Sequence, residues 1–212
     1  ALGRAVETAG GVPYPQFLAP GLIMMTLVQN AFANSSSSIL IAKVQGNIVD
    51  VLMPPLSAAE FTLAYALGSV TRGLMVGVAV LIGLLPFVDV AIHDPLAAIY
   101  FGFMAALMLG LLGIIAGIWA EKFDHVAAVQ NFVITPLSFL SGTFYSISRL
   151  PEDWHIAAWI NPFFYMIDGL RYGFIGTSDG NVAVGALMVL IVDALLLAGA
   201  YAMVAKGYKL KA

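Results

Sequence analysis

The chain of 212 residues is 61% hydrophobic and 10% charged, with a formal net charge of −3 and a mean hydropathy of +0.95. A soluble domain carries about 25% charged and 45–50% apolar residues, so this composition excludes one and indicates an integral membrane protein. The lack of cysteine excludes disulfides and thiolate metal sites, and the small negative charge provides no basic face for nucleic acid.

The chain starts at Ala1, and no positively charged leader precedes a short apolar run, so no signal peptide is expected. A spanning helix needs roughly 20 mostly apolar residues to cross a ~30 Å core, and five stretches qualify. The first lies within residues 18–42, and its second half is unusually polar, with Gln29, Asn30, Asn34 and Ser35 to Ser38. Such groups suit close packing between helices or the lining of a translocation pathway, for which Gln29, Asn30 and Asn34 are the candidates. A polar connection comes next at 43–58, KVQGNIVDVLMPPLSA. Within it Ile48, Val51 and Leu52 share one helical face while Asn47 and Asp50 face elsewhere, and Pro54-Pro55 ends the helix.

The second span covers about 60–86, with Glu60 expected to meet water at its start and Arg72 about twelve residues inside. The third runs over 95–119 and is succeeded by the short polar connection AEKFDH at 120–125. The fourth, 126–147, offers Phe132, Thr135, Ser138, Phe139 and Ser141 as further pathway-lining side chains. The fifth, 181–205, contains the single charge Asp193. An unpaired charge at mid-membrane costs about 2.5–3.5 kcal/mol, so Arg72 and Asp193 are each expected to have a partner or water, with a structural ion pair favoured over a proton relay. None of the five runs alternates as a barrel strand would, and backbone groups in lipid must be satisfied within a segment, so all five are read as helices.

Between the fourth and fifth spans lies SRLPEDWHIAAWINPFFYMIDGLRYGFIG, residues 148–176. Trp154, Trp159, Phe163, Phe164, Tyr165 and Tyr172 suit the headgroup level. Two short helices are expected within 148–178. The first opens at Pro151, with Glu152 and Asp153 at its positive end. The second has Asn161 as N-cap and Pro162 at its first position. Asp168 and Arg171, three apart, share a face as an ion pair. The segment reads either as a re-entrant or interfacial anchor or as an extracellular gate built from Asn161, Tyr165, Asp168 and Arg171. A true span over 159–178 would bury both charges in lipid.

With five spans the connections 43–58 and 120–125 and the C-terminal tail share one side, carrying Lys43, Lys122, Lys206, Lys209 and Lys211. The other side carries Arg4, Arg149 and Arg171. The positive-inside rule places the lysine side and the C-terminus in the cytoplasm. The N-terminus then lies outside, which leads to the expectation of one further span upstream. No repeat relates the halves, which weighs against an inverted-repeat secondary transporter.

The run NFVITPLSFLSGTFYSISRLPEDW with NPFFYMIDGLRYGFIG after it resembles the C-terminal signature of ABC-2-type transporter permeases. YPQFLAPGLIMM (14–25) resembles the start of that family's second span, KVQGNIVDVLMPPLS its cytoplasmic coupling segment, and Arg72-Gly73 an Arg-Gly pair common there. The resemblance covers nearly the whole chain in order and spacing. It implies an all-α ABC-2 exporter transmembrane domain over 1–212, with five of six spans and without the first span and the N-terminal interfacial helix. It further implies a homodimer in the bacterial inner membrane, among membrane lipids, joined to ATP-binding cassette subunits that use ATP and Mg. The chain itself has no G-x-x-x-x-G-K-[ST] loop, so no catalytic, cofactor or metal site is assigned to it. Lys43, Gln45, Asn47, Ile48, Asp50, Val51 and Leu52 would couple to the ATPase. The cargo would be an amphiphile, whether drug, lipid or lipid-linked glycan, moved out of the cell.

Two readings of other classes stand beside this one. GTSDG (176–180) matches G-x-S-x-G and suggests an intramembrane hydrolase using Ser178, but that motif needs a strand–turn–helix setting and a histidine base. Arg72 and Asp193 suggest an ion-coupled secondary transporter. His93-Asp94 before Pro95 is too sparse for a metal site.

Overall fold

The computed structural model describes residues 8–9, 11–146 and 159–210. Pro151, Glu152, Asp153 and Trp154, with the helix expected around them, lie outside the described residues, as do Arg4, Arg149 and Lys211. A two-stranded antiparallel hairpin, β1 (Thr8–Ala9) and β2 (Val12–Pro13), leads into seven helices among the described residues. These are α1 (Tyr14–Val44), α2 (Ile48–Leu52), α3 (Ala58–Leu84), α4 (Pro95–Trp119), α5 (Phe123–Thr143), α6 (Pro162–Ile175) and α7 (Val182–Ala205). Helices α1, α3, α4, α5 and α7 are long and apolar enough to cross a membrane, and they correspond to the five stretches read from the sequence.

Local capping chemistry sets most of the boundaries. Asp94 accepts from the Leu96 and Ala97 amides and Pro95 opens α4. Asn181 accepts from Ala183 and Val184 at the start of α7. Ser57 and Glu60 form a reciprocal capping box, with the Ser57 amide donating to Glu60 Oε2 at 2.8 Å and the Glu60 amide to Ser57 Oγ at 3.2 Å. The S-x-x-E spacing that marks such a box starts α3 two residues earlier than hydropathy alone does.

Helices α1 and α4 form the centre. A Cβ on Gly117 of α4 would stand 2.9 Å from the Ser36 carbonyl oxygen of α1, so glycine is what lets the backbones meet. Ser35 Oγ of α1 donates across this contact to the Gly110 carbonyl at 2.7 Å. On the outside, α3 exposes Leu63, Leu67, Met75, Val78 and Ile82, and α7 exposes Leu187, Leu190, Ile191 and Leu195. A monomer in water rarely presents apolar surface on this scale; hydrocarbon is the solvent that suits it.

One end of the bundle gathers lysines. Lys43 Nζ donates to the carbonyls of Gly117, Ile118 and Ala120, at 3.3, 2.6 and 2.6 Å. Lys209 Nζ pairs with Glu121 Oε1 at 2.7 Å and reaches the Trp119 carbonyl at 3.5 Å. Both cations sit where the last carbonyls of α4 lack intrahelical partners and the helix dipole is negative. The 43–58 connection, the α4–α5 turn and the tail therefore share one end, the grouping that the span count required.

Helix α5 is not a regular α-helix. It widens into π-turns at Gln130–Ile134 and Phe139–Thr143. Thr135 Oγ1 and Thr143 Oγ1 each donate five residues back, to Gln130 O at 2.9 Å and Ser138 O at 2.5 Å. Gly142, at φ 81°, then breaks the helix. Helix α6 is about 21 Å long by its 14 residues, too short for a ~30 Å core. It does not lie along a surface, because Phe163 to Arg171, Gly173 and Phe174 are all buried against the bundle. A Cβ at Gly173 would meet the Ala98 amide nitrogen at 2.6 Å, so α6 docks directly on the first turns of α4.

Candidate functional site

Helix α1 divides its residues by face. Leu27, Val28, Ala31, Phe32, Ser35, Ser36, Ile39 and Leu40 are buried. The opposite side, at the i, i+3, i+4 spacing of one helical stripe, carries Thr26, Gln29, Asn30, Asn34, Ser37 and Ser38, none of them buried. The serine run thus splits: Ser35 and Ser36 lie in the helix contact, while Ser37 and Ser38 extend a polar stripe that this chain leaves open. Asn30 Nδ2 and Ser37 Oγ bond back to the Thr26 and Ala33 carbonyls, at 3.0 and 2.5 Å.

Arg72 joins this stripe from α3. It lies 14 residues into the helix, about 21 Å along its axis, and is exposed. Its Nη1 donates to Asn34 Oδ1 at 3.4 Å. Gly68, one turn earlier, leaves room beside Asn34 Nδ2, which a Cβ there would approach to 3.8 Å. Alongside, an apolar groove of about 690 Å³ runs along α3, lined by Leu67, Thr71, Leu74, Met75, Ile82 and Phe103.

The expected ion pairs at the isolated charges do not form. Among the described residues the one salt bridge is Lys209–Glu121, so Arg72 has no carboxylate within 4.0 Å. Asp193 of α7 is 3% exposed, and neither of its oxygens has a hydrogen-bond partner. Arg72 and Asp193 face different surroundings, Arg72 the open stripe and Asp193 the interior, and so cannot serve each other.

The lining set proposed from the fourth span also splits. Phe132 is 81% exposed and Phe139 is exposed, with Thr135 half-buried. Ser138 and Ser141 are instead buried: Ser138 Oγ donates to the Ile134 carbonyl at 2.8 Å, and Ser141 Oγ to that of Leu137. Each π-turn adds a residue to its turn and rotates the residues beyond it, which a regular helical spacing does not anticipate.

In the connection, α2 forms where expected, and Gln45, Asn47, Val49 and Asp50 are exposed. Two expected coupling residues are occupied within the chain itself. Ile48 is buried in a cluster with Ile39, Phe61 and Leu210, and Lys43 caps α4. The side chains of Val51 and Leu52 lie outside the described residues. The exposed apolar residues of this connection include Val44, Val49, Met53 and Leu56, with Met53 72% exposed.

Helix α6 starts as expected, Asn161 Oδ1 accepting from the Phe163 amide at 3.0 Å with Pro162 first in the helix. Asp168 and Arg171, each 2% exposed, are not an ion pair. Arg171 Nη2 donates to the Gly142 carbonyl at 2.6 Å, and the guanidinium carbon stands 3.9 Å from the centre of the Phe17 ring. Asp168 accepts from Ser178 Oγ (2.6 Å), the Asp179 amide (2.8 Å) and the Gly180 amide (3.0 Å). Asn161 Nδ2 donates to Ser141 Oγ at 2.8 Å, and Tyr165 is buried with its ring against Gly185 of α7. The four residues expected to gate thus tie α6 to the broken end of α5, to α1 and to the turn before α7. Ser178 is part of this tie, and no described histidine bonds it; His155 lies outside the described residues. Gly142 and Phe17 are not legible as partners in the sequence because they are remote from α6 in the chain, and the 178–180 turn is not because its contact depends on how the chain folds back after α6.

Residues 3–175 match the family model described as ABC-2 type transporter. The inner membrane transport permease YadH of Escherichia coli (strain K12) is 39% identical over 193 residues, which is 90% of this chain and 75% of that protein. Nodulation protein J of Rhizobium leguminosarum bv. trifolii is 27% identical over 200 residues, 90% of this chain and 74% of that protein. The protein of the same name from R. leguminosarum bv. viciae is 26% identical over 208 residues, 94% and 78%.

Proposed function

Because the chain belongs to the ABC-2 type transporter family, we propose that this multi-pass permease subunit exports an amphiphile, driven by ATP hydrolysis in separate cassette subunits. The lysine end faces the cytoplasm, in the inner membrane, as the name of the 39%-identical relative supports. Two copies set their α1 stripes face to face and enclose the pathway. The observation that carries this reading is the open polar face of α1 inside an apolar helix. A stripe of amides and hydroxyls facing hydrocarbon would be unfavourable, and a shared, hydrated pathway removes that cost. On the cytoplasmic side, Gln45, Asn47, Val49, Asp50, Met53 and Leu56 dock on the ATPase. Lys43 ties the same connection to the end of α4, so displacement of α2 reaches the central helix.

The cysteine-free sequence makes the test direct. Single cysteines at Asn30 and Ser37 are expected to react with a charged maleimide in the assembled transporter, whereas one at Leu195, exposed on the apolar outer face of α7, stays unlabelled. Equal inertness of Asn30→Cys and Leu195→Cys would refute the pathway assignment. For coupling, Asp50→Arg is expected to weaken capture of the cassette ATPase; undiminished capture would remove α2 from that role.

A further inference from the structure

We infer that Arg72, with Asn34, binds the oxyanion head group of an anionic amphiphile, a phosphate-type group in particular. This rests on the export reading above and narrows its cargo.

The open face is poor in charge. Helix α1 contains no acidic residue, and its one basic residue, Lys43, is committed to the α4 carbonyls. The α5 candidates are all uncharged, and beyond its first turn α3 carries a single charge, Arg72. The stripe therefore presents one charge, positive and at mid-depth. A cationic amphiphile is repelled there and an anionic one attracted. Secondly, the guanidinium is under-used: of its five N–H donors one makes a bond, at 3.4 Å to a neutral amide oxygen. A planar donor fork matches two oxygens of a phosphate, sulfate or carboxylate, and the Asn34 amide nitrogen adds a donor beside it. Thirdly, the apolar groove of about 690 Å³ passes beside this cation, with Thr71 and Met75 one and three residues from Arg72. Head group on the stripe and tail along the groove is the arrangement that satisfies both surfaces.

The test uses the permease–ATPase complex in phosphatidylcholine nanodiscs, titrated calorimetrically with dodecyl phosphate and, separately, with neutral dodecyl maltoside. Dodecyl phosphate is expected to bind at least about tenfold more tightly, ~1.4 kcal/mol. Arg72→Gln should erase that preference, Arg72→Lys keep part of it as a point charge, and Asn34→Ala reduce it a few-fold. An unchanged preference in Arg72→Gln overturns the inference. So does dissociation of the dimer by Arg72→Gln with the preference intact in what remains, which would make Arg72 an assembly residue. Discs doped with phosphatidylglycerol separate the sources. Competition by that lipid, and its copurification with the parent but not with Arg72→Gln, identifies a membrane-lipid head group in the site; neither effect points to cargo alone. If the parent chain binds no cassette ATPase, the export reading fails, and titration of the permease by itself still decides the anion site.

Discussion

Arg171 and Asp168 show how a correct local reading can miss the interaction that matters. Their spacing places them on one helical face, yet Arg171 is bound to the Gly142 carbonyl, 29 residues back, and Asp168 to amides of the turn that follows the helix. A buried charge held by peptide groups leaves those groups unpaired when it is removed, at about 1–3 kcal/mol per site or more. Asp168→Asn and Arg171→Gln are each expected to destabilise the detergent-solubilised protein by that order, read as a lower melting temperature. Exchanging the two residues should not rescue either loss, since neither is the other's partner. A rescued double variant would show a direct pair after all. The role of Asn161 is legible in the sequence because capping is decided within three residues. Gly142 and the 178–180 turn are not, because no sequence spacing encodes contact with them.

At the scale of elements, the spans are readable because hydropathy over ~20 residues reports the solvent, and lipid leaves a segment few alternatives to helix. The phase of a helix is more fragile. Helix α5 carries two π-turns within 21 residues, so face assignments made at regular spacing fail for Ser138 and Ser141. Gly142 sits in the second π-turn at φ 81°, a conformation that costs a residue with a Cβ about 1–2 kcal/mol. Gly142→Ala is expected to destabilise by that amount, and by more if the Arg171 bond shifts, as read from thermal unfolding. At the α1–α4 contact, Gly117→Val should destabilise by about 1–3 kcal/mol, because its side chain would displace the Ser36 backbone.

Across the whole molecule, α1 and α4 form a tightly packed centre, with the outer surfaces of α3 and α7 apolar and exposed. The lysine end knits three connections together, and its surface part is open to a pH test. The hydrogen bond from Lys209 holds the Glu121 carboxyl below the usual carboxylate range, and the same bond holds the Lys209 ammonium above its own. The Glu121 contribution is complete above its unfolded-state value and is lost as pH falls through the lowered folded value. That of Lys209 is complete below its unfolded-state value and is lost as pH rises through the raised folded value. The melting temperatures of the parent and Glu121→Gln should therefore differ by a small constant between about pH 6 and pH 9 and converge in acid. High salt should shrink the gap, as for other exposed pairs. A gap that widened in acid would contradict the pairing.

Arg72 has a further consequence, during biogenesis. Before any neighbour or cargo is present, α3 must leave the translocation machinery for the bilayer with a guanidinium at its middle, against about 2.5–3.5 kcal/mol. Roughly eleven Leu, Ile, Val and Phe residues in α3, at about 0.3–0.6 kcal/mol each, supply ~3–7 kcal/mol in favour. The helix thus inserts by itself with a narrow margin. A second arginine, Gly73→Arg, is expected to stall that partitioning in a glycosylation-reporter assay, whereas Arg72→Leu leaves it complete. The greasy excess of α3 is what permits one cation, and only one, to reach mid-membrane.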